Sequence, residues 1–312
     1  MPSSIREAGA PFANADADII LRSSDNVDFR AHRVLLSITS PIFADMFKLP
    51  PGEAGADTGD EEKGGVCVVK LPEDEKSLRI LLGYCYLALA PVVLSSLDDA
   101  VRAVMVADKY QLSRGRVFAM EKLKDFAKED PERVYALGWK MDMADVARVG
   151  ARATLVKPYT IGLPTMEKVG SLPSPALLKL FVYQGACIEA ALGVLDLAWF
   201  QTDMLVLKTG SFCGRTPLGR IGVSQLMQQN WNGMSWCSIT DPLKRCFDAI
   251  RAALRTHPCG DAIDAAKLLE ISTGGLCDSC ARYHIATIPA FAELLASQVE
   301  NALAKVPLDI SY

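Results

Sequence analysis

Histidine is scarce in this chain: His32, His257 and His284 are the only three in 312 residues, which leaves few ordinary carriers for proton transfer. Carboxylates are plentiful, but their spacing singles out no acid and base pair. The Gly-rich run from Thr209 to Thr216 lacks the Lys-Ser/Thr ending of a phosphate-binding loop, and no metalloprotease or hydrolase-elbow motif is present. These gaps set the enzyme class aside. A Lys/Arg-rich run is also missing, and the formal net charge is -4, so direct binding of nucleic acid is not expected. The start of the chain carries no apolar signal segment, and nine cysteines, an odd count, fit a reducing compartment, cytoplasm or nucleus, better than a disulfide framework. The stretch from Ile80 to Leu97 holds no charge over nearly a membrane-spanning length, but Pro91 and Ser95-Ser96 break it. No membrane partner is expected.

What is present is apolar material in abundance. Half of the residues are hydrophobic, enough for two domains or for one with a large extension. The most informative stretch runs from Asp18 to Phe47. Ile19 to Arg22 and Val27 to Phe29 read as strands joined by the turn-tolerant Ser24-Asp25-Asn26. A helix with Val34, Leu35 and Ile38 on one side follows, and Ser40-Pro41 stops it and starts another carrying Ile42, Phe43, Met46 and Phe47. Val66 to Leu71 is a further strand. Asp74 then caps a helix from Glu75, and the next helix begins after Ser95-Ser96.

The ordered pattern of Asp18, Phe29-Arg30-Ala31-His32-Arg33, Leu35-Leu36-Ser37, Ser40-Pro41-Ile42-Phe43 and Met46-Phe47, with Ala107-Asp108-Lys109-Tyr110 downstream, resembles the BTB/POZ domain. Asp130-Pro131-Glu132-Arg133-Val134-Tyr135-Ala136 resembles the helical extension that follows this domain in fungal, basidiomycete-like proteins. The resemblance implies an α+β N-terminal domain, a small sheet with helical hairpins, followed by a mainly α-helical C-terminal region. The expected organisation is a flexible leader over 1–15, the BTB/POZ domain over 16–128 with a mobile acidic loop at 50–65, a helical extension over 129–157, a Pro/Gly-rich boundary over 158–175 and a helical region over 176–312. A long helix is predicted through Leu177, Leu180, Phe181, Gln184, Ile188 and Leu195, and a last one from Pro289.

The implied function is a non-enzymatic protein–protein interaction module that self-associates as a homodimer or recruits a partner. Asp18, Ile19, Arg33, Val34, Leu36 and Ile38 are the candidates for that interface, and Asp18 and Arg33 match a charged pocket near the dimer interface of related transcription factors, where acid and guanidinium can pair. One alternative is a substrate adaptor of a cullin-type ubiquitin ligase. The stretch Lys48 to Glu53 lacks a clean hydrophobic-x-Glu motif for that contact. The other is a transcriptional regulator acting through protein partners. His32 reads as structural, tied to the backbone near the hairpin. His257, Cys259, Cys277 and Cys280 combine a His-x-Cys with a Cys-x-x-Cys and could hold a structural zinc. The competing and favoured reading is reduced, buried thiols with no cofactor.

Overall fold

The structure is a computed structural model that describes residues 4–48, 61–86, 91–156, 173–196, 218–222, 236–274 and 278–310. The chain divides into two compact units, Met1–Glu129 and Asp130–Tyr312.

The first unit is built on a five-stranded sheet. Its strands are β1 (Arg6–Glu7), β2 (Ile19–Arg22), β3 (Val27–Ala31), β4 (Glu62–Lys63) and β5 (Val66–Lys70), in the order β1-β3-β2-β5-β4. β2 and β3 pair antiparallel with Ile20 opposite Arg30, and β2 pairs parallel with β5. The hairpin turn closes because Asn26 accepts a left-handed φ of 61°, a conformation asparagine tolerates. Every residue of β2 is buried, so the sheet centre is covered on both faces. Helices α1 (Arg33–Thr39), α2 (Pro41–Met46), α3 (Glu75–Cys85), α4 (Leu97–Lys109) and α5 (Ser113–Asp125) complete the unit. Leu36, Phe43, Leu78, Leu81, Leu82 and Val104 join Ile19, Leu21 and Phe29 in its fully buried core.

Three helix starts follow from side-chain capping. Ser40 accepts from the Phe43 N–H at 3.3 Å, Asp74 from Ser77 at 2.9 Å and Ser96 from Asp99 at 3.1 Å, each satisfying an amide that the first helical turn leaves unpaired. Two expectations are corrected here. The leader is not loose in its described part: β1 pairs parallel with β3, and Phe12 is buried against Phe29 and Tyr86, with centroids at 5.7 and 5.8 Å. The acidic loop is shorter than 50–65. Glu61 hydrogen-bonds Arg22, and β4 turns into β5 through Gly64-Gly65, whose φ values of 63° and 77° suit the two-residue hairpin that twisted strands favour. The rest of that expected loop, up to residue 60, lies outside the described residues.

The second unit contains α6 (Pro131–Lys140), α7 (Ala144–Ala153), α8 (Ser174–Gly193), a two-stranded sheet of β6 (Leu218–Gly222) and β7 (Trp236–Thr240), then α9 (Asp241–Thr256), α10 (Ala265–Thr273) and α11 (Asp278–Leu303). Its core runs from Tyr135 and Trp139 through Leu180, Cys187, Phe247 and Leu254 to Phe291, Leu295 and Val299. The Tyr135 hydroxyl donates to the Ala176 carbonyl at 2.7 Å. The helical extension shares its core with the later helices of the unit; of the boundary expected over 158–175, residues 158–172 lie outside the described residues, and α8 already begins at Ser174. α11 starts eleven residues before Pro289, which sits inside it and removes one backbone donor without ending the helix.

With its short 3-10 continuation to Asp196, α8 is long and apolar enough to cross a membrane, at a mean hydropathy of 1.4. Its Ala176, Leu180, Tyr183, Cys187 and Ala191 are buried in the core of the unit, which is also how the central helix of a water-soluble unit behaves.

Candidate partner-docking surface

The corner between α1 and α2 is fixed by polar contacts on its inner side. The Asp18 carboxylate accepts from the backbone N–H of Arg33 at 2.8 Å, and the Arg33 guanidinium lies over the Phe47 ring, 5.2 Å from its centroid. Asp18 therefore caps α1, in place of the predicted pairing with the guanidinium. The Tyr86 hydroxyl accepts from the His32 N–H at 2.8 Å and lies 2.9 Å from His32 Nδ1. A phenol that accepts from one group can still donate its own hydrogen to the other. Nε2 faces Asp16 at 3.5 Å. His32 thus ties the start of α1 to Tyr86. At the far end of α1, Thr39 Oγ1 donates to Leu35 O at 2.8 Å and lies 3.0 Å from Cys85 Sγ, while Ser40 Oγ donates to the Tyr110 carbonyl at 2.7 Å.

That anchoring divides the predicted interface residues. Ile19 and Leu36 are fully buried and belong to the domain's own core, so their interface role is withdrawn. Val34 and Ile38 are 61% and 76% exposed, and Ile42 at the start of α2 is 37% exposed. Val34 and Ile38 stand one turn apart on the same face.

Ile38 also lines a groove of about 700 Å³ that the sequence did not disclose. Its other walls include Pro41, Tyr84, Leu112, Arg114 and Phe118. Tyr84 is buried in a T-shaped contact with Phe118, centroids 6.3 Å apart, and its hydroxyl has no hydrogen-bond partner among the described residues. Burial pushes that hydroxyl up to about 12, so it is neutral. The ring seats on Gly115, where a Cβ would lie 2.8 Å from Tyr84 Cδ2. A glycine inside a helical pattern is the one sequence signal that could have pointed to this wall. Arg114 makes no ion pair among the described residues, so the lining presents a free cation and no carboxylate.

The described residues contain no group of three or more His, Cys, Asp or Glu suited to a metal, and of the four predicted zinc ligands only the side chains of His257 and Cys259 are among them. His257 Nδ1 lies 2.9 Å from Thr256 Oγ1, and burial pushes the Cys259 thiol up. Cys277 and the Cys280 side chain lie outside what is described.

The first unit is a small sheet wrapped by short helices, with Val34 and Ile38 exposed beside a groove. Residues 12–126, a little over a third of the chain, match the family model of the BTB/POZ domain. The N-terminal unit is therefore a BTB/POZ domain, from a family of protein-interaction domains and not of enzymes. A comparison with curated proteins gives no match.

Proposed function

We propose that the chain works by self-association through its BTB/POZ domain, with Val34, Ile38 and Ile42 at the centre of the contact. The supporting observation is the exposure of these three side chains on helices whose inner sides are fully anchored. Burying an aliphatic side chain contributes about 1.5–3 kcal/mol, so a face of this kind favours a partner, and a second copy supplies the same face in return. The groove beside it extends the surface for recruitment. An apolar partner segment would fill it, and a carboxylate on that segment would meet Arg114.

Light scattering of the full chain over a range of concentrations tests this reading. The expected result is a dimer mass that falls to monomer in Ile38→Glu with unchanged circular dichroism, and a constant monomer mass into the high micromolar range sinks self-association. Co-elution of the chain with a cullin N-terminal domain would transfer the same surface to the adaptor reading.

A further inference from the structure

The second unit holds a recess of about 240 Å³ between α7, α8 and the end of α11. Two guanidiniums reach it from one helix face, Arg148 and Arg152, one turn apart on α7. Arg152 uses Nη2 on Glu300, while its Nη1 is buried with no hydrogen-bond partner among the described residues. A buried donor left unsatisfied is costly and calls for an acceptor. Glu300 also lines the recess, but its two oxygens are already engaged, one by Arg152 and the other by the Gly260 N–H at 2.7 Å. Among the described residues Arg148 is held only by Asp145, at 3.1 Å between two exposed side chains, a contact weak enough to exchange. Leu303, Val306 and Leu308 supply apolar lining, and the Tyr183 hydroxyl lies near Arg152 and Cys187 without meeting hydrogen-bond geometry to Arg152 Nη1.

We propose that this recess binds a small carboxylate with a compact apolar body, Arg152 and Arg148 holding the carboxylate and Leu303, Val306 and Leu308 enclosing the body. Arg152 Nη1 offers the carboxylate one hydrogen bond, and Arg148, exchanged from Asp145, offers a second. The size fits as well: an apolar cavity of about 150 Å³ accommodates benzene, so the recess has room for a ring or branched chain plus its carboxylate. A bare phosphate would satisfy the arginines and leave the apolar wall wet.

The test titrates the full chain with benzoate, benzamide and inorganic phosphate at constant ionic strength, read by ligand-observed NMR and calorimetry. Saturable benzoate binding in the millimolar range is expected, with benzamide and phosphate each weaker by on the order of tenfold. Arg152→Gln should lower benzoate affinity by a similar factor, and Ala304→Trp, at the rim, should abolish binding while circular dichroism stays unchanged. Absence of saturable benzoate binding overturns the proposal. So does benzamide equal to benzoate, which removes the role of the guanidiniums, or phosphate equal to benzoate, which removes the role of the apolar wall. Should Arg152→Gln fail to fold, the exposed Arg148→Gln replaces it, with a several-fold loss expected and an unchanged affinity refuting the assignment.

Discussion

Asp28→Asn tests whether the sheet of the BTB/POZ domain depends on its buried charges. Asp28 is fully buried on β3 and accepts from Arg22 Nε at 2.6 Å, Arg22 Nη2 at 3.1 Å and Lys63 Nζ at 2.8 Å. Arg22 is itself only 5% exposed at its side chain. An asparagine keeps the shape and one acceptor oxygen, but it removes the charge and turns the other oxygen into a donor, so Arg22 loses one of its two bonds to this side chain. Removing one partner of a buried pair costs about 3–5 kcal/mol. Amide exchange of the peptide spanning residues 16–31, read by mass spectrometry, should then accelerate roughly 100- to 4000-fold at neutral pH. Burial pushes the Asp28 carboxyl up, but the hydrogen bonds from Arg22 and Lys63 outweigh it and hold the group below the usual carboxylate range. A depressed native value means stability that is complete above the unfolded value of about 3.9 and lost as pH falls through the native one. The gap between the two proteins must therefore narrow on strong acidification. A cost below about 1 kcal/mol at neutral pH, or a gap that widens in acid, refutes the reasoning.

Other consequences are as concrete. Gly150→Ala places a Cβ 2.4 Å from the Tyr135 backbone nitrogen, whereas Gly185→Ala meets nothing within 4 Å. Helix propensity favours both changes by up to about 1 kcal/mol, but overpacking against backbone costs about 1–3 kcal/mol or more. Urea unfolding followed by tryptophan fluorescence should show the first destabilised and the second slightly stabilised. Ser40→Ala removes both the α2 cap and the bond to the Tyr110 carbonyl, a loss of about 2 kcal/mol that chemical denaturation with circular dichroism will show. Thiol labelling with peptide mapping at pH 8 should modify half-exposed Cys67 ahead of buried Cys85, Cys187 and Cys246, since burial pushes the Cys246 thiol up to about 11. Cys246 labelling as fast as Cys67 would contradict the packing of the second unit.

Much of the first unit was legible because its signals are local. The β2–β3 hairpin follows from two apolar runs around the turn-forming Ser24-Asp25-Asn26, and α3 and α4 begin at Glu75 and Leu97, immediately after the caps Asp74 and Ser96. What escaped depends on distant partners. β1 is two residues, Arg6–Glu7, and β4 is Glu62–Lys63. Their charges read as solvated loop until each is seen to edge a sheet, where charged side chains suit an exposed strand. In the second unit, α10 was not anticipated although Asp264 caps it by accepting from Ala266 at 2.9 Å and Lys267 at 3.2 Å. Proline likewise misplaced the start of α11. Its missing donor marks a helix start only when the preceding turn cannot pack, and here Ile288 and Phe291 on either side of it are core residues.

The exposed apolar face was harder to read than the fold for a reason that lies in α1 itself. Its seven residues carry Val34, Leu35, Leu36 and Ile38, more apolar surface than one neighbouring layer can cover. Helical periodicity groups Val34 with Ile38 and says that they share a face. It does not say whether that face meets the sheet. Leu36 points the other way and fills the core, anchored between Asp18 at one end of the helix and Ser40 at the other. Once one side of a short helix is committed in that way, the remaining side must stay in water or meet another polypeptide. Exchanging Ile38 for a charged residue is therefore the informative perturbation, because it changes the outward face and leaves the anchors intact. The same change at Leu36 would unfold the domain and say nothing about partners.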